Sequence, residues 1–424
     1  MVKLFFYNPY IISQNEHKRD FCKRFKFYGG GEKMLKRTLT LLMVCLMIAS
    51  LALTGCSKPA DNGGGAAQSD VIKVGWMGSL TGDQAVWGQC ELDTVKMLFE
   101  EINAKGGVLG KKLEVIGYDT KGDPQEAVNV AKRLTGQDKV VAILGPNASG
   151  NAIPIAPVLE EAKVPDIATV ATNPKVTVLD GKVKPYNFRV CFIDPYQGAV
   201  AAGYAKDILG FNKAAILYDV ADDYSQGLTQ FFEEYFVGKG GTIVAKEGFK
   251  FGDVDFRPQL SKIKEAQPEV LFLPIFFKEA ALIANQAREL GITVPLMGGD
   301  GLPSEQLFTM AKDAVQVTYI VNHVDYDDPE VQDLKNRYRT KYNKELELNG
   351  YLVHDAVVVF VDALERAGEA DSVKITEALE TANVKGVTGQ ITISKDTHNP
   401  EGKEAAIVKI EGDKYVFQQK YSAK

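Results

Sequence analysis

The chain has 424 residues, 45% apolar and 25% charged, an ordinary globular composition with length for about two to three domains. Nine Lys/Arg and three Asp/Glu precede Ser57; taken from totals of 49 and 55 they leave 40 basic and 52 acidic residues, a net charge of −12. An acidic body argues against nucleic acid and anionic membrane surfaces as partners.

Residues 1–33 are basic and aromatic, and an export signal does not carry such a leader. The true start is expected at Met34, with 1–33 a misassigned extension. Residues 34–56 read as a secretory signal: Lys36 and Arg37, an apolar run over 39–53, then LTGC at 53–56. That ending resembles the bacterial lipobox, where cleavage leaves the cysteine, here Cys56, as a lipid-modified amino terminus. A transmembrane anchor is the competing reading. Residues 57–70, SKPADNGGGAAQSD, form a Gly/Ala/Ser-rich tether. Cys22 and Cys45 fall outside the expected mature chain. Cys90 and Cys191 remain, either paired in an oxidising compartment or held as two buried thiols; no spacing rule decides.

From there strand and helix alternate. A strand over 71–77 and a turn over 78–82 lead into a helix over 87–104, with apolar Leu92, Val95, Met97, Leu98, Phe99 and Ile102 and a stop at Gly106-Gly107. A strand follows over 113–118. Asp123 and Pro124 then open a helix, with aspartate at the cap and proline at the first position. A strand over 140–144 stops at Gly145, and a small polar turn through Asn147, Ala148 and Ser149 starts another helix. A strand over 166–169 stops at a second polar turn through Val170, Ala171 and Thr172. Two consecutive strand ends of one parallel sheet, with hydroxyls and free backbone N–H groups, make a place to hold a small polar molecule.

After an extended stretch over 186–192, Asp194-Pro195 starts a second series. It has strands over 214–218, 241–249, 270–273, 294–297 and 315–321, and helices over 224–237, 256–265, 278–290 and 304–312. Helices over 329–342, 351–366 and 374–381 come next, then short strands over 389–393 and 405–419. The late helices must pack on something. A return to the first unit gives an α/β protein of two lobes with a cleft between them.

Signatures of catalysis are missing. There is no GxSxG, no GxxxxGK[ST] and no GxGxxG opening the first helix. His323, His354 and His398 are too scattered for a metal set, and His354 beside Asp355 reads as a packed or surface histidine. Residues 219–223, DVADD, lack the spacing of an oxygen cage and read as a solvated turn. No metal, cofactor or enzyme activity is expected. Trp87, Tyr224, Phe276 and Phe277 all stand at carboxyl ends of strands. Each alone reads as core; together they read as pocket walls. Asp300 between glycines is either a locally bonded turn residue or a carboxylate aimed at an ammonium group.

Eight motifs in one order carry a resemblance: GSLTGDQAVWG (78–88), EINAKGGVLGKKLEV (101–115), GDPQEAV (122–128), LGPNASGN (144–151), ATNP (171–174), DPYQGAVAA (194–202), QARELGI (286–292) and GGDG (298–301). From about Val71 onward the chain resembles the periplasmic leucine-isoleucine-valine-binding proteins of ABC transporters. The resemblance implies the type I periplasmic-binding fold, two doubly wound Rossmann-like lobes joined by three hinge crossovers. The lobes would be 71–191 with 325–386, and 192–324 with 387–424. Ser149 and Thr172, with the backbone of Val170 and the neighbours Asn147, Ala148 and Ala171, would hold an α-carboxylate and part of the ammonium. Asp300 would pair with the ammonium, Trp87 would lie against the ligand side chain, and Tyr224 would close over from the second lobe. Phe276 stands where leucine-binding members have tyrosine, and Asp300 is shorter than their glutamate. The cysteine pair of some members is absent, with Gly122 and Ala148 near those places.

The implied function is that of a solute-binding lipoprotein on the outer face of a bacterial membrane. It would take a hydrophobic, branched-chain-like amino acid and deliver it to the membrane subunits of an ABC permease. The alternative is a ligand-sensing receptor of the same fold for an amide, urea or aromatic acid.

Overall fold

The computed structural model describes residues 70–422. The expected extension, signal segment, Cys56 and residues 57–69 of the tether lie outside the described residues. Among the described residues no helix is long and apolar enough to cross a membrane.

Two sheets organise the chain. The first is parallel and runs, edge to edge, Lys112–Asp119, Val71–Gly78, Ile143–Leu144, Asp166–Ala168, Asn187–Arg189. The second repeats that order with Thr242–Phe249, Lys213–Asp219, Val270–Leu273, Leu296–Gly298 and Thr318–Asn322, then adds Ala405–Glu411 and Lys414–Tyr421 antiparallel. Helices on both faces explain why the central strands read as unbroken apolar runs. All four residues of Val270–Leu273 are buried, as are the last five of Val71–Gly78. In each sheet the strand order reverses between its first and third strands in the chain, which opens a crevice at their carboxyl ends.

The chain passes between the sheets three times, over 190–193, 323–328 and 402–404. On its return it forms the helices Pro329–Tyr342, Leu348–Ala367 and Ser372–Leu379. Their Leu334, Tyr351, Phe360 and Ile375 join Trp76, Leu144 and Phe188 in one core, which is how a long late helical section buries its apolar faces. The strand Gly389–Ile393 was expected in the second lobe. It pairs instead with Asn383–Gly386, and its alternation sends Ile391 and Ile393 into the first lobe's core. The chain regains the second sheet only at Ala405.

Local signals act largely as expected. Asp123 accepts from the Glu126 amide at 2.7 Å with Pro124 at the first helical position. The acidic turn at 219–223 is corrected by the structure. Asp222 caps the helix Asp223–Gly238 through the Ser225 amide, while Asp219 is buried and accepts from the Ala221 amide at 2.8 Å. These carboxylates serve backbone N–H groups and so are not simply solvated. The strand expected over 140–144 has regular strand geometry only at Ile143–Leu144, after a left-handed turn at Lys139 with φ 56°, although Val141 and Ala142 already bond to Lys73 and Gly75 of the neighbouring strand. Cys90 and Cys191 are both free and buried, which settles the open cysteine question as two separate thiols. His354 Nδ1 donates to the Asp355 carboxylate at 3.0 Å, a packed histidine.

Candidate functional site

The carboxyl ends of both sheets face each other across a narrow cavity of about 20 Å³. The first lobe supplies Gln84, Trp87, Asn147, Ala148, Ser149, Val170 and Asn349; the second supplies Tyr224, Phe276, Asp300 and Gly301.

The polar wall is built on the turn after Ile143–Leu144. Gly145 has φ 89°, and a Cβ there would lie 2.5 Å from the Met77 carbonyl oxygen, so only glycine lets the chain turn this closely. Beyond it, the Ser149 hydroxyl accepts from the Asn173 amide at 3.2 Å, leaving its own proton free to donate. The side-chain nitrogen and oxygen of Asn147 are both buried without a protein partner. Such a group is costly in a closed cavity unless something else completes it. Asn349 is held from behind: its amide donates to Glu91 Oε1 at 3.3 Å, and Glu91 also takes the Thr169 hydroxyl at 2.7 Å and the Trp76 indole N–H at 3.2 Å. Burial pushes the Glu91 carboxyl up to about 7, although these three donors work against the rise.

The opposite wall is aromatic and acidic. Tyr224 and Phe276 stack at 5.4 Å between ring centroids, and Trp87 meets Phe276 edge-on at 5.8 Å and Phe277 at 4.9 Å. Trp87 belongs to a first-lobe helix yet is buried in the second lobe's core, and its indole N–H donates to the Pro303 carbonyl at 3.3 Å. Asn173 to the Asp223 carbonyl (2.7 Å) and Lys278 to Asp83 (2.6 Å) are further ties across the cleft. The lobes are therefore closed on the cavity.

Asp300 is 3% exposed, and its Oδ2 lies 2.8 Å from His323 Nε2. The Tyr224 hydroxyl accepts from the Gly301 amide at 3.1 Å; a Cβ on Gly301 would sit 2.6 Å from the Ile275 carbonyl oxygen. Burial, with the charge of Asp300 added, raises the Tyr224 phenol well above its ordinary value. Behind this wall the Asp194 carboxyl and Gln197 amide are fully buried; burial lifts Asp194 well above the carboxylate range, the Thr172 hydroxyl beside it opposes the rise and the charge of Asp300 adds to it.

Eight of the ten predicted ligand residues thus line one cavity: Trp87, Asn147, Ala148, Ser149, Val170, Tyr224, Phe276 and Asp300. Ala171 and Thr172 do not line it. The Ala171 carbonyl accepts from Arg189 at 2.7 Å, and the Thr172 hydroxyl is buried beside the Asp194 carboxyl. Gln84, Asn349 and Gly301 line the cavity without having been predicted, and His323 enters through Asp300. A wider cavity of about 410 Å³ adjoins through Gln84, Ala148 and Phe276 and reaches Gly122. Among the described residues no group of His, Cys, Asp and Glu is placed to hold a metal ion.

The family model for periplasmic binding proteins matches residues 71–414, most of the chain. The chain belongs to the periplasmic binding protein family. Among similar proteins, an amino acid binding protein of Pseudomonas aeruginosa is 31% identical over 328 residues, covering 76% of this chain and 86% of the relative. The leucine-binding protein LivK of Thermotoga maritima superposes with a TM-score of 0.77 at 34% identity, over 83% of this chain and 99% of that one. LivJ of Streptococcus pneumoniae, solved with isoleucine, superposes at 0.76 with 31% identity, again over 83% and 99%. This periplasmic binding protein has the type I fold of its family, with the cavity at the crevice between the two sheets.

Proposed function

We propose that this periplasmic binding protein is an extracytoplasmic lipoprotein of an ABC transporter that captures a hydrophobic, branched-chain-like amino acid by hinge closure. The lobes in this reading are 71–191 with 325–401, and 192–324 with 405–424. The ligand's carboxylate meets the Ser149 hydroxyl and the Asn147 amide, its ammonium meets Asp300, and its side chain lies among Trp87, Tyr224 and Phe276. Delivery falls to the permease subunits, and no chemistry is done on the ligand. Relatives named for leucine, isoleucine and valine, and the isoleucine held by LivJ, support the ligand class.

The observation that carries the reading is the placement of Asp300. A buried carboxylate from one lobe lines the same small aromatic-walled space as the unpartnered Asn147 amide of the other. A zwitterion satisfies both sides, and neither lobe alone does. An aromatic acid would bring a second negative charge toward Asp300. The test is calorimetry with L-leucine, L-isoleucine, L-valine and benzoate. The branched-chain amino acids should bind and benzoate should not. Asp300→Ala and Ser149→Ala should each weaken binding by roughly 2–5 kcal/mol, the cost of breaking one partner of a closed, charge-assisted contact. Unchanged affinity in both variants sinks the proposal.

A further inference from the structure

We propose that His323 is the positioning residue of the ligand site. Its Nε2–H grips one oxygen of Asp300, so that the other is presented to the ligand's cation, and its ring ties that grip to two of the three crossovers. This rests on the amino acid reading above.

The His323 side chain is 0% exposed and that of Asp300 1%, with 2.8 Å between Nε2 and Oδ2. His323 opens the second crossover, directly after the strand Thr318–Asn322. Its ring stacks on Phe192 of the first crossover, with centroids 3.6 Å apart and planes at 20°. The Asn322 side chain fixes the backbone around it, accepting from the His323 amide at 2.9 Å and donating to the Val324 carbonyl at 3.3 Å. A ring fixed by stacking and backbone has one direction in which to hold the carboxylate. Asp300 is one methylene shorter than glutamate, so where its oxygens point depends on what grips them.

Charge gives the pair its use. The ring's Nδ1 is buried without a partner, so a proton there would be an unsatisfied buried N–H. The neutral ring, protonated on Nε2, donates to Asp300 and leaves one net negative charge at the cavity. Burial lowers the His323 pKa. Asp300 and, more distantly, Asp355 on the helix Leu348–Ala367 oppose this, and Lys403 in the third crossover adds to it. Arg189 is occupied by the Ala171 and Asn173 carbonyls and the Thr177 hydroxyl. An ammonium group is the counter-charge the pair lacks. A proton on His323 supplies that charge internally, so proton and ligand compete.

The experiment combines ¹⁵N NMR of the histidine rings with calorimetry of L-isoleucine from pH 5 to 8, on wild type, His323→Gln and His323→Leu. The ring should be neutral with its proton on Nε2, and should titrate below the ordinary value of about 6.5. Affinity should fall about tenfold per pH unit below that midpoint. His323→Gln, whose amide also donates at that reach, should keep neutral-pH affinity within about threefold but lose the acid limb. His323→Leu should bind roughly ten- to a hundredfold more weakly at pH 7.5, as loss of a bond to a charged group does. Wild-type affinity in His323→Leu, an acid limb kept in His323→Gln, or a ring protonated on Nδ1 overturns the proposal. A wild type that binds no amino acid sinks the ligand class instead. The ligand-free spectra then decide this proposal: Asp300→Asn must lower the His323 midpoint, and an unmoved midpoint refutes the pairing.

Discussion

Glu91 offers a test of how the first lobe supports the cavity. Its carboxyl is fully buried beneath Asn349, and burial lifts its pKa from the ordinary 4.5 to about 7. A folded-state value above the unfolded one means that the protonated form contributes to stability. That contribution is complete below pH 4.5 and is lost as pH rises through about 7. At 1.36 kcal/mol per pH unit, the difference is about 3 kcal/mol. Glu91→Gln keeps an oxygen for Thr169 and Asn349 and cannot ionise. Its amide nitrogen then faces the Trp76 N–H, a donor–donor contact whose cost is the same at every pH and cancels in a pH comparison. Unfolding entropy of about 2.1 cal/mol/K per residue gives roughly 0.7 kcal/mol/K over residues 70–422, so 3 kcal/mol is about 4 °C. Thermal melts of wild type and variant at pH 4.5 and pH 8.5 read it out. The variant should gain about 4 °C relative to wild type on going to pH 8.5. Parallel shifts in the two proteins would refute a raised Glu91.

Trp87→Ala removes an aromatic anchor seated in the opposite lobe and its bond to Pro303. Closure should weaken by about 3–5 kcal/mol, the cost of losing a buried tryptophan, so L-isoleucine affinity should fall more than a hundredfold in calorimetry. Lys278→Ala breaks the 2.6 Å tie to Asp83, but the two side chains are 40% and 30% exposed, so affinity should change by less than about 1 kcal/mol. Burial pushes the Cys90 and Cys191 thiols up to about 12, so dithiothreitol should leave the melting temperature unmoved and a thiol reagent should label both only after denaturation.

The elements were legible because their signals are local. Pro329–Tyr342 and Val270–Leu273 have the bounds that apolar pattern, proline and turn residues indicate. Ends were less so, as at Ile143–Leu144, where Val140 stays buried outside the strand and its amide turns back to the Leu134 carbonyl at 3.2 Å. The rule that ligands bind at carboxyl ends of strands pointed to Ser149, Tyr224, Phe276 and Asp300, and these four line one cavity. His323 obeys the same rule, one residue past Thr318–Asn322, but a lone histidine outside a metal set carries no local signal of a role. Asn349 had no such signal. It stands at the second position of a late helix, and only the return of that helix to the first lobe carries it to the cavity wall.

Closure itself was the least legible property, because it depends on residues whose partners lie in the other lobe. Trp87 looks like a ligand wall from its own helix, but it is also part of the second lobe's core. Closure therefore buries apolar surface whether or not ligand is present. In the proposed hinge closure it also encloses the unpartnered Asn147 amide and the Asp300 carboxylate, both of which an opened cleft would return to water. The two contributions have opposite sign. A ligand that completes both polar groups removes the unfavourable one and leaves the favourable one, so its differential affinity for the closed state is built from Asn147 and Asp300 more than from the aromatic walls. By that argument, substitutions at the aromatic walls act on how readily the lobes close, and substitutions at the two polar groups act on whether closure needs a ligand.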